Sequence, residues 1–225
     1  MFLRGGEKVS KKYTSKEAKN MILDVASILF VEKGYEKTSI SDIERGLNGL
    51  TRGAIYHHFS NKEEIIKAVV RRFIPDETTL LQVDTRTDLN GLEKIQELLI
   101  ENLFNEEAGA SMNLGYPLLN DPKYYSMYNA QIVAEIVPQI ERYLIKGNQD
   151  GSLSVQQPRQ MAEIIILLIS TWFIPALFPT TMDTFFEKLT ACSRVFAQSG
   201  MNILSEEVME EILTRLKMKM EEQND

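Results

Sequence analysis

The chain has 225 residues, of which 44 % are hydrophobic and 25 % charged, with one cysteine and a net charge of −7 at pH 7. This composition is typical of a soluble globular protein with one or two domains, and a single cysteine excludes a disulfide framework and a cysteine-rich zinc site. No signal peptide is recognisable at the N-terminus, and the longest apolar run, residues 164–178, is too short to span a membrane. We therefore predict a cytoplasmic protein that does not associate with a membrane.

Positive charge is concentrated in the first third of the chain. Residues 1–75 hold 14 Lys and Arg against 9 Asp and Glu, whereas the remaining residues hold 11 against 23. A basic first third on an acidic body favours nucleic-acid binding by the first third alone, because the duplex repels the body. Residues 1–13 are predicted to be a flexible basic arm, which either tracks a phosphate backbone or is a solvated tail without function.

Two helices are predicted before residue 48. Thr14 and Glu17 fit a capping box that opens the first, and Gly34 ends it. The second begins after Thr38 or Ser39 and carries its apolar residues on one face.

The next two helices follow a glycine-containing turn. Gly49 breaks the preceding helix, and Thr51 caps a short one whose apolar stripe is Ile55 and Phe59. The sequence at residues 60–63 fits a second capping box, which opens a fourth helix over residues 61–74. A short helix entered through such a turn is typical of a helix-turn-helix DNA-binding protein.

The motifs between residues 19 and 70 occur in a characteristic order. They are Ile22-Leu23, Ala26, Leu29-Phe30, Gly34-Tyr35, Thr38-Ser39-Ile40, Asp42-Ile43, Gly49-Leu50-Thr51, Gly53-Ala54-Ile55-Tyr56, His58-Phe59 and Asn61-Lys62-Glu63. In this order they resemble the DNA-binding domain of TetR-type (tetracycline-repressor-like) bacterial transcriptional regulators. Two departures are Glu44, where the family usually has alanine, and one extra residue between Ile43 and Gly49, which should lengthen the second helix or widen the turn.

The resemblance implies that double-stranded DNA is the partner. Positions matching Arg52, Gly53 and Ala54 face the base edges of the major groove, where Arg52 is suited to guanine and Ala54 to a thymine methyl group. Other matching positions bind phosphates, although Tyr56 and His58 could instead simply pack the domain. The predicted DNA-binding residues are Thr38, Ser39, Thr51, Arg52, Gly53, Ala54, Tyr56, His57, His58 and Lys62.

Beyond Pro75 only the hydrophobic pattern guides the prediction. Residues 84–89 are expected to be a linker. Helices are predicted over residues 92–109, 112–119, 121–147 with a bend at Pro138, 158–174, 183–199 and from 205 onward. The chain is therefore predicted to be all-α, with nine or ten helices: an N-terminal three-helix helix-turn-helix domain and a C-terminal helical domain for ligand binding and dimerisation.

Methionine and aromatic side chains of the C-terminal part could line a pocket for an apolar or aromatic effector, as the resemblance implies; plain core packing is the alternative. The candidates are Phe104, Met112, Tyr116, Tyr124, Met127, Tyr128, Ile169, Trp172 and Phe173. Residues 164–174 are apolar almost all round, which indicates a second apolar face and, by the resemblance, a four-helix dimer interface. Its candidates are Ile165, Leu168, Trp172, Phe185, Leu189, Cys192 and Phe196, and the alternative is the central helix of a monomeric bundle.

Catalytic and metal chemistry find no support in the sequence. His57 and His58 are adjacent, so on a helix they point about 100° apart and cannot chelate one ion from the same face. Neither a glycine-rich phosphate loop nor a nucleophile elbow is present. We expect no enzyme, no metal and no cofactor.

The prediction is a TetR-like transcriptional regulator, a repressor, that binds a palindromic operator as a homodimer and is released by a small effector. Its predicted domains are a basic arm at 1–13, a helix-turn-helix domain at 14–74 and an effector-binding and dimerisation domain at 75–225. In the alternative, a protein or peptide partner controls the C-terminal domain, with the acidic face from Glu206 to Glu222 as its docking surface.

Overall fold

The computed structural model describes residues 13–47, 49–104, 116–175 and 177–222. All regular structure in these ranges is helical, which confirms the predicted all-α fold. The helices are α1 Ser15–Lys33, α2 Ile40–Gly46, α3 Arg52–His58, α4 Lys62–Arg71, α5 Glu77–Thr85, α6 Gly91–Phe104, α7 Pro122–Gln131, α8 Val137–Asp150, α9 Pro158–Ile169, α10 Met182–Gln198 and α11 Glu206–Glu222. Short 3-10 helices occur at Tyr116–Asn120 and Thr171–Phe173, and Ile132–Ile136 is π-helical.

The chain divides into two compact units, the first ending at Val69 and the second beginning at Val70. The boundary lies inside α4, which contributes residues to both units. Each unit is built around its own apolar side chains. The predicted basic arm, apart from residue 13, lies outside the described residues.

Local capping explains where the helices of the first unit begin. The Thr14 hydroxyl accepts from the Glu17 amide at 3.2 Å, and the Glu17 carboxylate accepts from the Thr14 amide at 2.7 Å, which is the predicted capping box. Gly34 then ends α1 with a φ of 80°, a conformation that favours glycine. Ser39, one of the two predicted candidates, caps α2.

The cap of α4 differs from the prediction by one residue. The Asn61 side-chain oxygen accepts from the Glu64 amide at 2.9 Å, and the Glu64 carboxylate accepts from the Ser60 amide at 2.8 Å. Ser60 and Asn61 are both good capping residues and each is followed three positions later by glutamate, so the pattern alone does not select between them. The helix ends at Arg71 rather than continuing to residue 74.

The Lys62 ammonium fastens α4 to the turn between α1 and α2. It donates to the carbonyl of Tyr35 at 2.7 Å, of Thr38 at 2.8 Å and of Glu36 at 3.4 Å, and it lies 4.2 Å from the centre of the Tyr35 ring. Charged donors form stronger hydrogen bonds than neutral ones. This cluster therefore fixes the connection on which α2 and α3 depend.

In the second unit, α5 was not predicted. Its cap is Asp76, whose carboxylate accepts from the Thr79 amide at 2.8 Å. At its C-terminal end the buried Lys94 ammonium donates to the carbonyls of Val83 at 2.6 Å and Asp84 at 2.9 Å. A cation is favourable at a helix C-terminus, so a residue on the following helix stabilises a segment of weak intrinsic propensity.

Two predicted helices are interrupted. The π-helical Ile132–Ile136 joins α7 to α8 directly before Pro138, the position of the predicted bend, because proline cannot donate to the preceding turn. The predicted helix through residue 174 ends at Ile169, and the 3-10 turn Thr171–Phe173 follows Ser170.

The packing of α6 against α8 requires a glycine at position 91. A Cβ atom on Gly91 would lie 2.1 Å from the backbone nitrogen of Gly147 and 2.5 Å from the carbonyl oxygen of Tyr143. These are backbone atoms and cannot move aside as a flexible side chain does. The two helices can therefore approach this closely only because residue 91 has no side chain.

We expect Gly91→Ala to destabilise the second unit by about 1–3 kcal/mol, the usual cost of overpacking a well-packed contact. Urea unfolding followed through the fluorescence of Trp172, the single tryptophan, reports on this unit. Gly53→Ala is the matched control, because its Cβ would meet only the Thr51 hydroxyl at 3.6 Å. An unfolding midpoint of Gly91→Ala equal to that of the wild type would contradict the prediction.

Candidate DNA-binding surface and effector cavity

The short helix α3 presents two different faces. Ile55 is fully buried and Phe59, directly after the helix, is 5 % exposed, so both anchor α3 to the core of the first unit. The Thr51 hydroxyl accepts from the Ala54 amide at 3.3 Å and fixes the start of the helix, as predicted. The opposite face leaves predicted DNA-binding residues exposed to solvent: Arg52, Gly53, Tyr56 and His57.

Arg52 and Tyr56 lie one turn apart on this exposed face. The Arg52 guanidinium is 3.5 Å from the Tyr56 hydroxyl and 5.7 Å from the centre of its ring. The pKa of Arg52 is raised above its ordinary value, and the largest contribution comes from the hydrogen bond to Tyr56. This long contact leaves guanidinium donors directed to solvent, which is the geometry that a guanine or phosphate ligand needs.

Glu44 also contacts the recognition helix. Its carboxylate oxygen Oε1 accepts from the Arg52 backbone amide at 3.1 Å, which joins α2 to the first residue of α3. From the sequence alone, Glu44 is notable only because the resembling family usually has alanine at this position. Its contact spans eight residues across a turn, so helical spacing gives no signal for it.

Three other predicted DNA-binding residues make contacts inside the unit. The buried Thr38 hydroxyl donates to the carbonyls of Leu29 at 3.2 Å and Gly34 at 2.9 Å, and the Lys62 ammonium is held by the carbonyls described above. Ser39 bonds Asp42 within the α2 cap and thereby lowers the pKa of that carboxyl. Their contacts position α2 and α4, and direct phosphate binding by them stays a prediction.

The two histidines differ in environment. His58 is half-buried, and its burial, followed by the nearby His57 and Lys19 charges, lowers its pKa. It is therefore mainly neutral at physiological pH and adds no positive charge to the surface. His57 is exposed to solvent.

The second unit contains a cavity of about 570 Å³. Its wall is mostly apolar, and its polar side chains are Asn102, Asn120, Tyr128 and Ser170. Among the described residues that line it, none is Asp, Glu, Lys, Arg or His. The size is that of a small-molecule site, and the wall is suited to an uncharged ligand.

One hydrogen bond in this wall is well defined. The Tyr128 hydroxyl and the Ser170 hydroxyl are 2.6 Å apart and link α7 to the end of α9. Burial raises the pKa of Tyr128 to about 12, so its hydroxyl stays neutral. A neutral hydroxyl pair can both donate to and accept from a bound polar group.

The predicted pocket residues divide into three groups. Tyr128, Ile169 and Phe173 line the cavity. The described lining does not include Phe104, Tyr124, Met127 and Trp172, of which Phe104 packs 5.4 Å from the Arg215 guanidinium carbon. Met112 and the side chain of Tyr116 lie outside the described residues. Sequence reasoning missed lining residues that only the tertiary fold brings together: Phe73, Leu99, Asn102, Leu103, Pro117, Asn120, Ser170, Pro175, Phe185, Leu189, Leu204, Ile212 and Leu216.

The predicted interface residues face mostly inward. Ile165, Leu189, Cys192 and Phe196 are buried in their own unit, Leu168 and Trp172 are half-buried, and Phe185 lines the cavity. The apolar side chains that α9 and α10 expose are instead Ile164, Leu167 and Val195, at 42 %, 52 % and 44 %. An interface on these two helices would therefore use their outward residues.

Lys188 holds the segment that follows α9. Its buried ammonium donates to the carbonyls of Trp172 at 3.0 Å and Phe178 at 3.1 Å, and to the Thr180 hydroxyl at 2.5 Å. This charge is thereby satisfied by the backbone.

In the part of the chain that the structure describes, no helix is long and apolar enough to cross a membrane.

Comparison with known proteins agrees with this architecture. Residues 22–69 match the family model of bacterial regulatory proteins, tetR family. Over 160 residues the chain is 21 % identical to IcaR, the HTH-type negative transcriptional regulator of the biofilm operon icaADBC in Staphylococcus aureus (strain Newman), covering 71 % of this chain and 84 % of IcaR.

Two repressors of solved structure share the fold. NalD, the secondary repressor of the MexAB-OprM multidrug efflux pump in Pseudomonas aeruginosa, has a TM-score of 0.61 and 21 % identity, over 82 % of this chain and 97 % of NalD. SmeT, the repressor of the Stenotrophomonas maltophilia multidrug efflux pump SmeDEF, has a TM-score of 0.58 and 22 % identity, over 82 % of this chain and 91 % of SmeT. A SmeT–triclosan complex has a TM-score of 0.54 and 22 % identity, over 77 % of this chain and 90 % of that chain.

These matches are to transcriptional regulators rather than enzymes, and the family model covers the helix-turn-helix that carries Arg52 and Tyr56. The resemblance predicted from the sequence is thereby confirmed. Residues 22–69 therefore match the DNA-binding part of the tetR family of bacterial regulatory proteins, and the chain as a whole is similar to transcriptional regulators of that kind.

Proposed function

We propose that the protein is a repressor that binds a palindromic operator as a homodimer and is released by a small uncharged effector. The observation that carries the proposal is the pairing of an exposed Arg52–Tyr56 face on α3 with an uncharged cavity in the second unit. The IcaR, NalD and SmeT proteins described above are all repressors by name, which supports the direction of regulation.

In this proposal, α3 enters the major groove. Arg52 contacts a base edge, Gly53 lets the backbone approach closely, and Tyr56 and His57 reach the phosphates on either side. Ala54, which is half-buried, is suited to an apolar contact. Because phosphate contacts carry little sequence information, Arg52 is the residue that specifies the operator.

The dimer is proposed to form through α9 and α10. Ile164 and Leu167 are three residues apart and share one outward face of α9, so they form a stripe rather than scattered apolar residues. A second copy of this chain is the occupant of that stripe, since a two-fold dimer would place two recognition helices on the two half-sites of a palindrome.

The effector is proposed to be an apolar or aromatic molecule without a formal charge. An ionised ligand would leave its charge unpaired against this lining, which is costly in a low-dielectric site. The Tyr128–Ser170 pair and the two amides provide hydrogen bonds for one or two polar atoms. Triclosan, bound by SmeT, is a chlorinated phenol that matches this chemistry.

Release from DNA follows from differential binding. The effector binds more tightly to a conformation of the second unit in which α4 is displaced. In that conformation the spacing between the two α3 helices of the dimer no longer matches the spacing of the operator half-sites. A ligand shifts such an equilibrium only by its difference in affinity for the two states, typically about 1–3 kcal/mol. Identical separations of the recognition helices in operator-bound and effector-bound dimers would overturn this mechanism.

For DNA binding, we expect selection from a random duplex pool to yield a palindromic sequence. Arg52→Ala should relax one base pair in each half-site, with a loss of about 1–3 kcal/mol of discrimination there. Lys37→Ala, at an exposed basic residue before α2, is the control and should leave every base preference intact. Identical preferences in the Arg52→Ala variant and the wild type would exclude this role for Arg52.

For dimerisation, Leu167→Glu should weaken self-association at least about hundredfold, because two carboxylates would be desolvated across the two-fold axis. Sedimentation equilibrium measures the association constant, and binding to the selected palindrome should become non-cooperative. Leu81→Glu is the matched control, since Leu81 is 60 % exposed on α5. Equal association constants for both variants would place the interface elsewhere.

For effector binding, triclosan at a slightly acidic pH, where its phenol is uncharged, should stabilise the wild type and release it from the operator. Stabilisation by mass action is about 2.7 kcal/mol at a hundredfold excess over Kd. Leu103→Trp, which fills the cavity, should abolish both effects, whereas Leu213→Trp on the exposed side of α11 should preserve them. Stabilisation by tetraphenylphosphonium instead of triclosan would contradict the uncharged-ligand assignment.

A further inference from the structure

We infer that Glu44 is a positioning residue for the recognition helix and thereby helps to determine which DNA sequence the protein prefers. This inference rests on the proposed binding of DNA through α3. It concerns the hydrogen bond of 3.1 Å from the Arg52 amide to Oε1 of Glu44. The amide belongs to the first residue of α3, whose side chain is proposed to read a base.

Glu44 stands on a well-fixed support. Its neighbour Ile43 is fully buried, Leu47 is 6 % exposed, and the Ser39–Asp42 capping box fixes the start of α2. The Glu44 side chain itself is half-buried. Because α2 is held in place, the hydrogen bond between Glu44 and the Arg52 amide restrains the position of α3.

The start of α3 is restrained at two nearby amides. The Thr51 hydroxyl accepts from the Ala54 amide, and Glu44 accepts from the Arg52 amide. Thr51 belongs to the same local segment as α3, so it caps the helix without orienting it. Glu44 comes from α2 and thus couples the direction of α3 to the helix before it.

The charge of Glu44 has a second, opposing effect. A carboxylate makes a stronger bond to an amide than a neutral oxygen does, and it is favourable at a helix N-terminus. The same charge lies beside a surface that is proposed to approach phosphates, and like charges repel. Glu44 should therefore sharpen sequence preference while weakening overall affinity, and these two effects can be separated by substitution.

Glu44→Ala removes both the acceptor and the charge, whereas Glu44→Gln keeps an acceptor oxygen and removes only the charge. Glu32→Ala is the control, because Glu32 is exposed on α1 and its loss changes the net charge of the first unit by the same amount. Base preferences are measured by selection from a random duplex pool. Affinities for the selected site are measured at low and high salt, and circular dichroism checks that each variant is folded.

We expect Glu44→Ala to lose about tenfold in discrimination at the base pairs that α3 reads, since a displaced side chain forfeits a good base contact. Glu44→Gln should keep the wild-type preference and bind severalfold more tightly than Glu32→Ala at low salt, with the gain lost at high salt. Both results together support the inference.

Unchanged base preference in folded Glu44→Ala would overturn the positioning role. If Glu44→Ala does not fold, Glu44→Asp provides the test, because its shorter side chain withdraws the acceptor from the Arg52 amide and keeps the charge. A relaxed base preference in folded Glu44→Asp supports the inference, and the wild-type preference overturns it. A wild type that selects no sequence would instead overturn the proposed function, so the two failures are distinguishable.

Discussion

A recognition helix of seven residues cannot be stable by itself, since isolated helices shorter than about 12 residues are marginal in water. Its position depends on the burial of Ile55 and Phe59, which are four residues apart and leave Tyr56 and His57 between them exposed. Burial fixes which face is inside but permits rotation and tilt about that contact. The polar bonds at the start of α3 and the Lys62 cluster behind α2 remove this remaining freedom.

In the second unit, two buried lysine side chains are stabilised by backbone carbonyls. The ammonium groups of Lys94 and Lys188 are buried, and each is surrounded by carbonyl acceptors. Each thereby holds a segment that lacks strong helical propensity: the end of α5 and the turn after α9. Because these charges are satisfied by backbone carbonyls, neither lysine needs an acidic partner. The described wall of the cavity has no charged side chain, and its polar atoms are neutral donors and acceptors.

Local chemistry made the first unit predictable from its sequence. The capping side chains of α1 and α3, Gly34 and the Ile55–Phe59 stripe each act within a few residues, and the structure has them as the pattern indicated, whereas the cap of α4 lies one residue later. The second unit was less predictable, because α5 is stabilised by Lys94 from another helix and the cavity wall combines residues from distant segments. The apolar residues of α9 and α10 illustrate the limit: hydrophobic period identifies a helix, but not which of two apolar faces is turned inward.

Contacts at the end of α4 suggest how an effector in the cavity could act on DNA binding. Phe73 lines the cavity two residues after the end of α4, and the Arg71 guanidinium donates to the carbonyls of Ile74 and Pro75 at 3.1 and 2.9 Å while pairing with Glu135 at 2.8 Å. Glu135 belongs to the π-helical turn, a form that is often found at functional sites. In the proposed mechanism, a ligand that displaces Phe73 must strain or break these bonds. Since a bond to a charged group contributes about 1.5–3 kcal/mol, one such change is comparable to a whole allosteric coupling energy.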